Sequence, residues 1–141
     1  MIEGELKSQV SVEFAGIVAL VLLIVLSIQL YFYYLEQQGV AIQSSYNARM
    51  IGGEVFTYFN LALITNGYNA SFSIPSVVGS DVVNVSVAPG LLVVTAGGST
   101  AAYPLTGVVE LNSSGVLTQP PFNLSSGVHF ISSFNGVVVV D

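Results

Sequence analysis

The sequence predicts an α+β protein, a long N-terminal hydrophobic α-helix followed by a small antiparallel β-sandwich or barrel. Three observations carry that expectation. Gln9 to Leu35 is apolar apart from a single carboxylate, Glu13. No proline occurs before Pro75, so nothing forces a helix to stop where the apolar run stops. After about Leu61 the helical spacing of apolar residues gives way to two-residue alternation.

The apolar run is long enough to cross a bilayer. Phe14 to Leu35 is 22 residues without a charge, broken only by Ser27 and Gln29, and as a helix it spans roughly 33 Å. Fourteen of these residues are Leu, Ile, Val or Phe. Each contributes about −0.3 to −0.6 kcal/mol to insertion, against about +3 for an acidic residue at mid-membrane, so insertion wins. Glu13, near the end of the segment, costs less than that. A secretory signal would carry a small-residue cleavage site after its apolar region. Gln29 to Gln38 is aromatic and polar instead, which moves the expected cut to the polar junction Lys7-Ser8-Gln9, ahead of the apolar run.

Beyond Leu35 the spacing continues as an amphipathic helix. Leu35, Gly39, Ile42, Tyr46, Met50, Gly53 and Phe56 form a stripe at intervals of three or four, with Gln, Ser, Asn and Arg between. Unbroken from Gln9 to Phe59, such a helix is about 75 Å long and needs sister helices to cover it. Gly39, Gly52 and Gly53 each cost about 1 kcal/mol relative to alanine. They mark either close packing or, for Gly52-Gly53, a helix end near Ile51. Tyr31, Phe32, Tyr33 and Tyr34 read as an aromatic belt at the membrane surface, a packed layer in a filament core, or an electron-conducting stack. Packing accounts for four adjacent aromatics on all sides of a helix.

The remainder reads as short strands. In Val82–Ala88 the alternation puts Val83, Val85 and Val87 on one face and Asn84 and Ser86 on the other. Further strands are expected at 62–65, 70–74, 91–95, 101–105, 107–111, 115–118, 128–132 and 137–140. Turn signals separate them at Asn66-Gly67, Pro89-Gly90, Gly97-Gly98, Ser114-Gly115, Ser126-Gly127 and Asn135-Gly136. Asn135-Gly136 is the clearest hairpin. Four N-x-S sequons lie in this part and none before it, making Asn69, Asn84, Asn112 and Asn123 candidate N-glycosylation sites. Glycans would supply the solvation that charges do not.

Composition excludes several functions. Charged residues make up 7 % of the chain and the net charge is −6, so most of the surface must face lipid, glycan or another copy. After the leader the only basic side chain is Arg49, which excludes the Lys/Arg footprint of nucleic-acid binding. There is no cysteine for a disulfide or thiolate site. His129, the only histidine, lies in an alternating strand pattern where a satisfied core nitrogen is the ordinary role. Glu54, Asp81 and Glu110 have neither paired-carboxylate nor metal-ligand spacing, and no glycine-rich phosphate loop is present. We therefore expect no enzyme, no cofactor and no metal.

Gln9-Val10-Ser11-Val12-Glu13, preceded by a short charged leader and followed by about 20 apolar residues, resembles the Q-x-S-x-E start of archaeal type IV pilins with class III signal peptides. The match covers about 30 of the 141 residues. Ser8 stands where glycine is usual before the cut and a lone Lys7 where a basic pair is usual, departures that bear on cleavage efficiency more than on position. The resemblance implies a pilin-like lollipop and cleavage between Ser8 and Gln9 by a prepilin peptidase. Residues 1–8 would be the leader, 9–59 the membrane anchor and later filament core, and 60–141 an extracellular β-domain. Glu13 would then pair with the freed amine of Gln9, on its own chain or a neighbour's, because a carboxylate beside an apolar core needs a cation. Read without that context, Glu13 is an interfacial residue reaching the headgroups.

The expected function is that of a structural pilin of an archaeal type IV-like pilus. Inserted in the cytoplasmic membrane as a precursor, it would be drawn into an extracellular, adhesive helical homopolymer by an assembly ATPase and membrane platform. An archaellin or a minor pilin is a close variant. The alternative from another class is a monomeric membrane-anchored β-domain that binds a ligand. It predicts no use for Glu13 and a polar surface over Glu36 to Phe59.

Overall fold

The structure is a computed structural model that describes the backbone of residues 2–141 and the side chains of residues 12–141. The order of elements is one helix followed by strands. α1 runs Ile2–Ile64 and is 63 residues long. The strands are β1 Asn69–Ile74, β2 Val77–Val78, β3 Asp81–Ala88, β4 Leu91–Ala96, β5 Ser99–Pro104, β6 Val108–Ser113, β7 Val116–Thr118, β8 Phe122–Leu124, β9 Gly127–Phe134 and β10 Val137–Val140. This is the expected helix followed by two β-sheets.

Two compact units divide the chain within α1, Met1–Val40 and Ala41–Asp141. In the first unit every side chain from Val12 to Val40 is exposed. In the second, the last turns of α1 supply part of the core. Ser44, Asn47, Ala48, Ile51, Val55, Phe59 and Ala62 are buried along one helical stripe. The strand expected at 62–65 is therefore helix and early turn, with Ala62 on that stripe and Thr65 N–H donating to Leu61 O. Gly52-Gly53 does not end the helix. Gly52 is buried because the Tyr103 ring of β5 lies over it, leaving no room for a Cβ.

One sheet has the order β1-β9-β10-β6-β7, the other β2-β3-β4-β5 with β8 also on β3. All pairs are antiparallel except β6 with β10, which run parallel. Val83, Val85 and Val87 of β3 point inward as the alternation predicts, to meet Leu92, Val94, Phe72, Ile74, Val138 and Val140 in one core. Asn135 and Gly136 both have positive φ, at 52° and 81°, and join Phe134 to its partner Val137. That is the geometry of a two-residue type I′ turn.

β9 faces the opposite way from what its side chains suggest. His129, Ile131 and Ser133 are buried, while Val128, Phe130 and Phe134 stand 65 %, 57 % and 73 % exposed. A one-residue slip would reverse this. Polar contacts and the tight turn hold it: Ser133 Oγ donates to Thr65 O and accepts from Tyr68 N–H at 3.1 Å.

Candidate functional site

The candidate site begins on α1. Glu13 shares one helical face with Gly16, Ile17 and Leu20, which line a shallow open depression with it. Glu13 itself is exposed. The junction Ser8–Gln9 and the Gln9 amine that would pair with Glu13 lie outside the residues whose side chains are described.

The apolar run meets the requirement of a non-aqueous environment. The most apolar 18-residue window of the helix has a mean hydropathy of 2.5, long and apolar enough to cross a membrane. Ser27 Oγ, one of its two polar breaks, donates to Leu23 O at 2.8 Å, so its hydroxyl needs no water. Tyr31 to Tyr34 are all exposed. Only Tyr31 and Phe32 pair, edge to face at 6.3 Å, and four rings distributed around a helix make no continuous stack within one chain.

The amphipathic part of α1 carries two stripes rather than one. At about 100° per residue, positions two apart lie on nearly opposite sides of a helix. The buried positions 44, 48, 51 and 55 are offset in this way from Ile42, Tyr46 and Met50. Those three are 71 %, 66 % and 48 % exposed. Of the stripe legible in the sequence, Ile42, Tyr46 and Met50 face outward, whereas Gly53 and Phe56 are half-buried beside Tyr103; the inner stripe opens on Ser44, Asn47 and Ala48, which carry no apolar signature. Arg49 joins Ile42, Ser45 and Tyr46 around a second shallow depression.

The inner stripe binds the helix to both sheets. Phe56 stacks on Tyr103 at 5.2 Å, and the Tyr103 hydroxyl donates to Arg49 O at 2.9 Å. Tyr58 and Phe59 pack on Phe72 of β1, with ring centroids 5.5 and 6.0 Å away. Asn47 Nδ2 donates to the buried Asp81 carboxylate at 3.0 Å, which removes Asp81 from any solvent-facing role.

His129 is buried with both ring nitrogens facing carbonyl oxygens, Nδ1 to Asp141 O at 2.6 Å and Nε2 to Ser125 O at 2.7 Å. Its ring lies 5.6 Å from Phe72. Among the described residues, no three His, Cys, Asp or Glu side chains gather where they could hold a metal ion.

The four sequons fall on the outer faces of the sheets. Asn84 and Asn123 are exposed neighbours on one sheet, since Ser86 of β3 pairs with Asn123 of β8. Asn69 and Asn112 border a depression of about 260 Å³ on the other. Asn69 is exposed, whereas Asn112 is half-buried, with its Oδ1 accepting from Gly115 N–H at 2.9 Å.

Comparison with protein-family models, curated proteins and solved structures finds no match to this chain.

Proposed function

We propose that this chain is a structural subunit, a pilin of an archaeal type IV-like pilus that assembles through α1 into an extracellular helical filament for adhesion. One observation carries the reading. The helix bears an uncovered apolar surface from Val12 onward, and where its own β-unit covers one stripe, the opposite stripe of Ile42, Tyr46 and Met50 stays open. Leaving apolar surface in water costs roughly 25 cal/mol per Å², so lipid first and sister helices later are the environments that fit it. The resemblance of Gln9 to Glu13 to the class III start supplies the order: membrane insertion, cleavage at Ser8–Gln9 by a prepilin peptidase, then extraction by an assembly ATPase and its platform.

The chain has no catalytic part in this scheme and needs no cofactor. Its partners are further copies of itself and the assembly machinery. The anchored-module alternative calls for a polar outward face between Glu36 and Phe59, and Ile42 and Tyr46 do not provide one.

N-terminal sequencing and electron microscopy of material sheared from cells test the proposal together. A start at Gln9 in filaments supports it. An intact Met1 confined to the membrane fraction overturns it.

A further inference from the structure

We propose that a neutral sugar attached to Asn69 packs on the ring of Phe130, so that a covalent glycan rather than protein completes the outer face of the β1-β9-β10-β6-β7 sheet. The inference rests on reading the sequons as glycan acceptors.

Three features converge on it. The first is the reversed orientation of β9, which holds Val128, Phe130 and Phe134 outward in a unit that has little charge to solvate them. A face of that kind needs a cover.

The second is register. Asn69 pairs with Ser132, and Ser71, the hydroxyl residue of the same sequon, pairs with Phe130. Asn69 and Phe130 are therefore diagonal neighbours on the outer face, roughly 7–8 Å apart, within reach of the first sugar on the asparagine.

The third is the depression that Asn69, Asn112, Phe130, Ser132, Val139 and Asp141 line. Its volume of about 260 Å³ lies below the roughly 300–1,000 Å³ of sites for drug-sized ligands, which suits one ring rather than an extended chain. The C–H face of a pyranose is apolar and carries partial positive charge, which complements the negative face of a phenyl ring. Its hydroxyls point sideways, where Ser132 and the Asp141 carboxylate can accept them.

The only charged group in the depression is Asp141, so a two-fold contact of this face with itself would set like charges together, and a neutral sugar avoids this. In the attachment step the Asn69 side-chain nitrogen attacks C1 of a lipid-linked glycosyl phosphate. The C–N bond forms as the C1–O bond breaks, the lipid phosphate leaves with the electron pair, and the nitrogen's proton passes to a base of the transferase.

The test uses full chain purified in detergent from its native host, as wild type, Asn69→Gln, Phe130→Leu, Phe130→Tyr and the Asn69→Gln/Phe130→Leu double variant. Glycopeptide mass spectrometry at all four sequons comes first. Sugar on Asn69 is expected, and an unmodified Asn69 overturns the proposal. If the other three are modified, only the proposal falls, whereas four bare sequons also overturn the glycosylation reading. With Asn69 modified, Asn69→Gln should lower Tm by roughly 4 °C when Phe130 is present and by much less in the Phe130→Leu background. Upfield ring-current shifts of the first sugar's protons should vanish in Phe130→Leu and persist in Phe130→Tyr. Equal Tm losses in both backgrounds, or a change in oligomeric state on Phe130→Leu with no change in the sugar signals, would show that protein rather than glycan covers this face.

Discussion

Cε2 of Tyr103 lies 2.5 Å from the point where Gly52 would carry a Cβ. The ring is held there on two sides, by stacking on Phe56 and by its hydroxyl bond to Arg49 O. Gly52 is therefore a seat for an aromatic ring of the chain's own β-unit, and neither a helix end nor a helix–helix contact is needed to account for it.

This makes adjacent glycines respond in opposite directions. Gly53 has only the Tyr103 hydroxyl near it, at 3.9 Å. Gly53→Ala should stabilise the fold by up to about 1 kcal/mol through helix propensity. Gly52→Ala gains the same propensity but displaces a pinned ring, for a net loss of about 1–2 kcal/mol. Thermal melts followed by circular dichroism measure both, and a stabilised Gly52→Ala would show that Tyr103 moves aside at little cost.

The buried pair of Asn47 and Asp81 should show the asymmetry expected of polar groups in a core. Asn47→Leu leaves a buried carboxylate without its amide donor and should cost roughly 3 kcal/mol. Asn47→Leu with Asp81→Leu removes both partners and should recover part of that loss. A double variant less stable than the single would mean that the carboxylate's needs are met elsewhere.

His129→Leu should also destabilise, although it adds an apolar side chain to a core position. Whichever ring nitrogen carries the proton, the oxygen it faces, of Ser125 or of Asp141, loses its donor, at roughly 1–3 kcal/mol if left unsatisfied. Chemical denaturation of the full chain in detergent would measure the loss, with unchanged stability counting against a buried hydrogen bond from the imidazole.

The outward stripe separates folding from assembly. Ile42→Glu and Tyr46→Glu alter exposed positions and should leave Tm within about 2 °C of wild type, since surface changes rarely exceed about 0.5 kcal/mol. Both should abolish filaments in electron micrographs of sheared material. Normal filament yield would place the inter-subunit contact on another face.

Glu13→Ala should still insert and be trimmed at Ser8–Gln9, yet fail to polymerise. Fractionation, N-terminal sequencing and microscopy read the three steps separately, and wild-type filament yield would remove the role assigned to the carboxylate.

What was legible in the sequence follows from local rules. The uninterrupted apolar run, the absence of proline before Pro75 and the alternation through Val83, Val85 and Val87 each specify structure within a few residues. So does Asn135-Gly136. The two-residue β2 and the three-residue β8 are too short for an alternation to register, and 62–65 has strand composition but is held as helix by Ala62 packing inward. Two faces were hidden for a common reason. On α1 the inner stripe opens with the small or polar Ser44, Asn47 and Ala48, which Asp81 and the sheets accommodate, and on β9 a polar network turns the larger apolar side chains outward. In both places a tertiary partner decides which face is core, and no local pattern contains it. At the candidate site, the position of Glu13 and the sequons could be read directly. The relation of Asn69 to Phe130 needed the β1–β9 register.

The place of β10 sets an order of events in time. It follows the other strands of its sheet in chain order, yet it lies in the middle of that sheet, with β9 on one side and β6 on the other. β1 waits longer still for β9, its only neighbour in the sheet. Contacts that span so much chain form slowly. The helix is therefore complete, and able to engage whatever receives it, well before the sheet beside it can close.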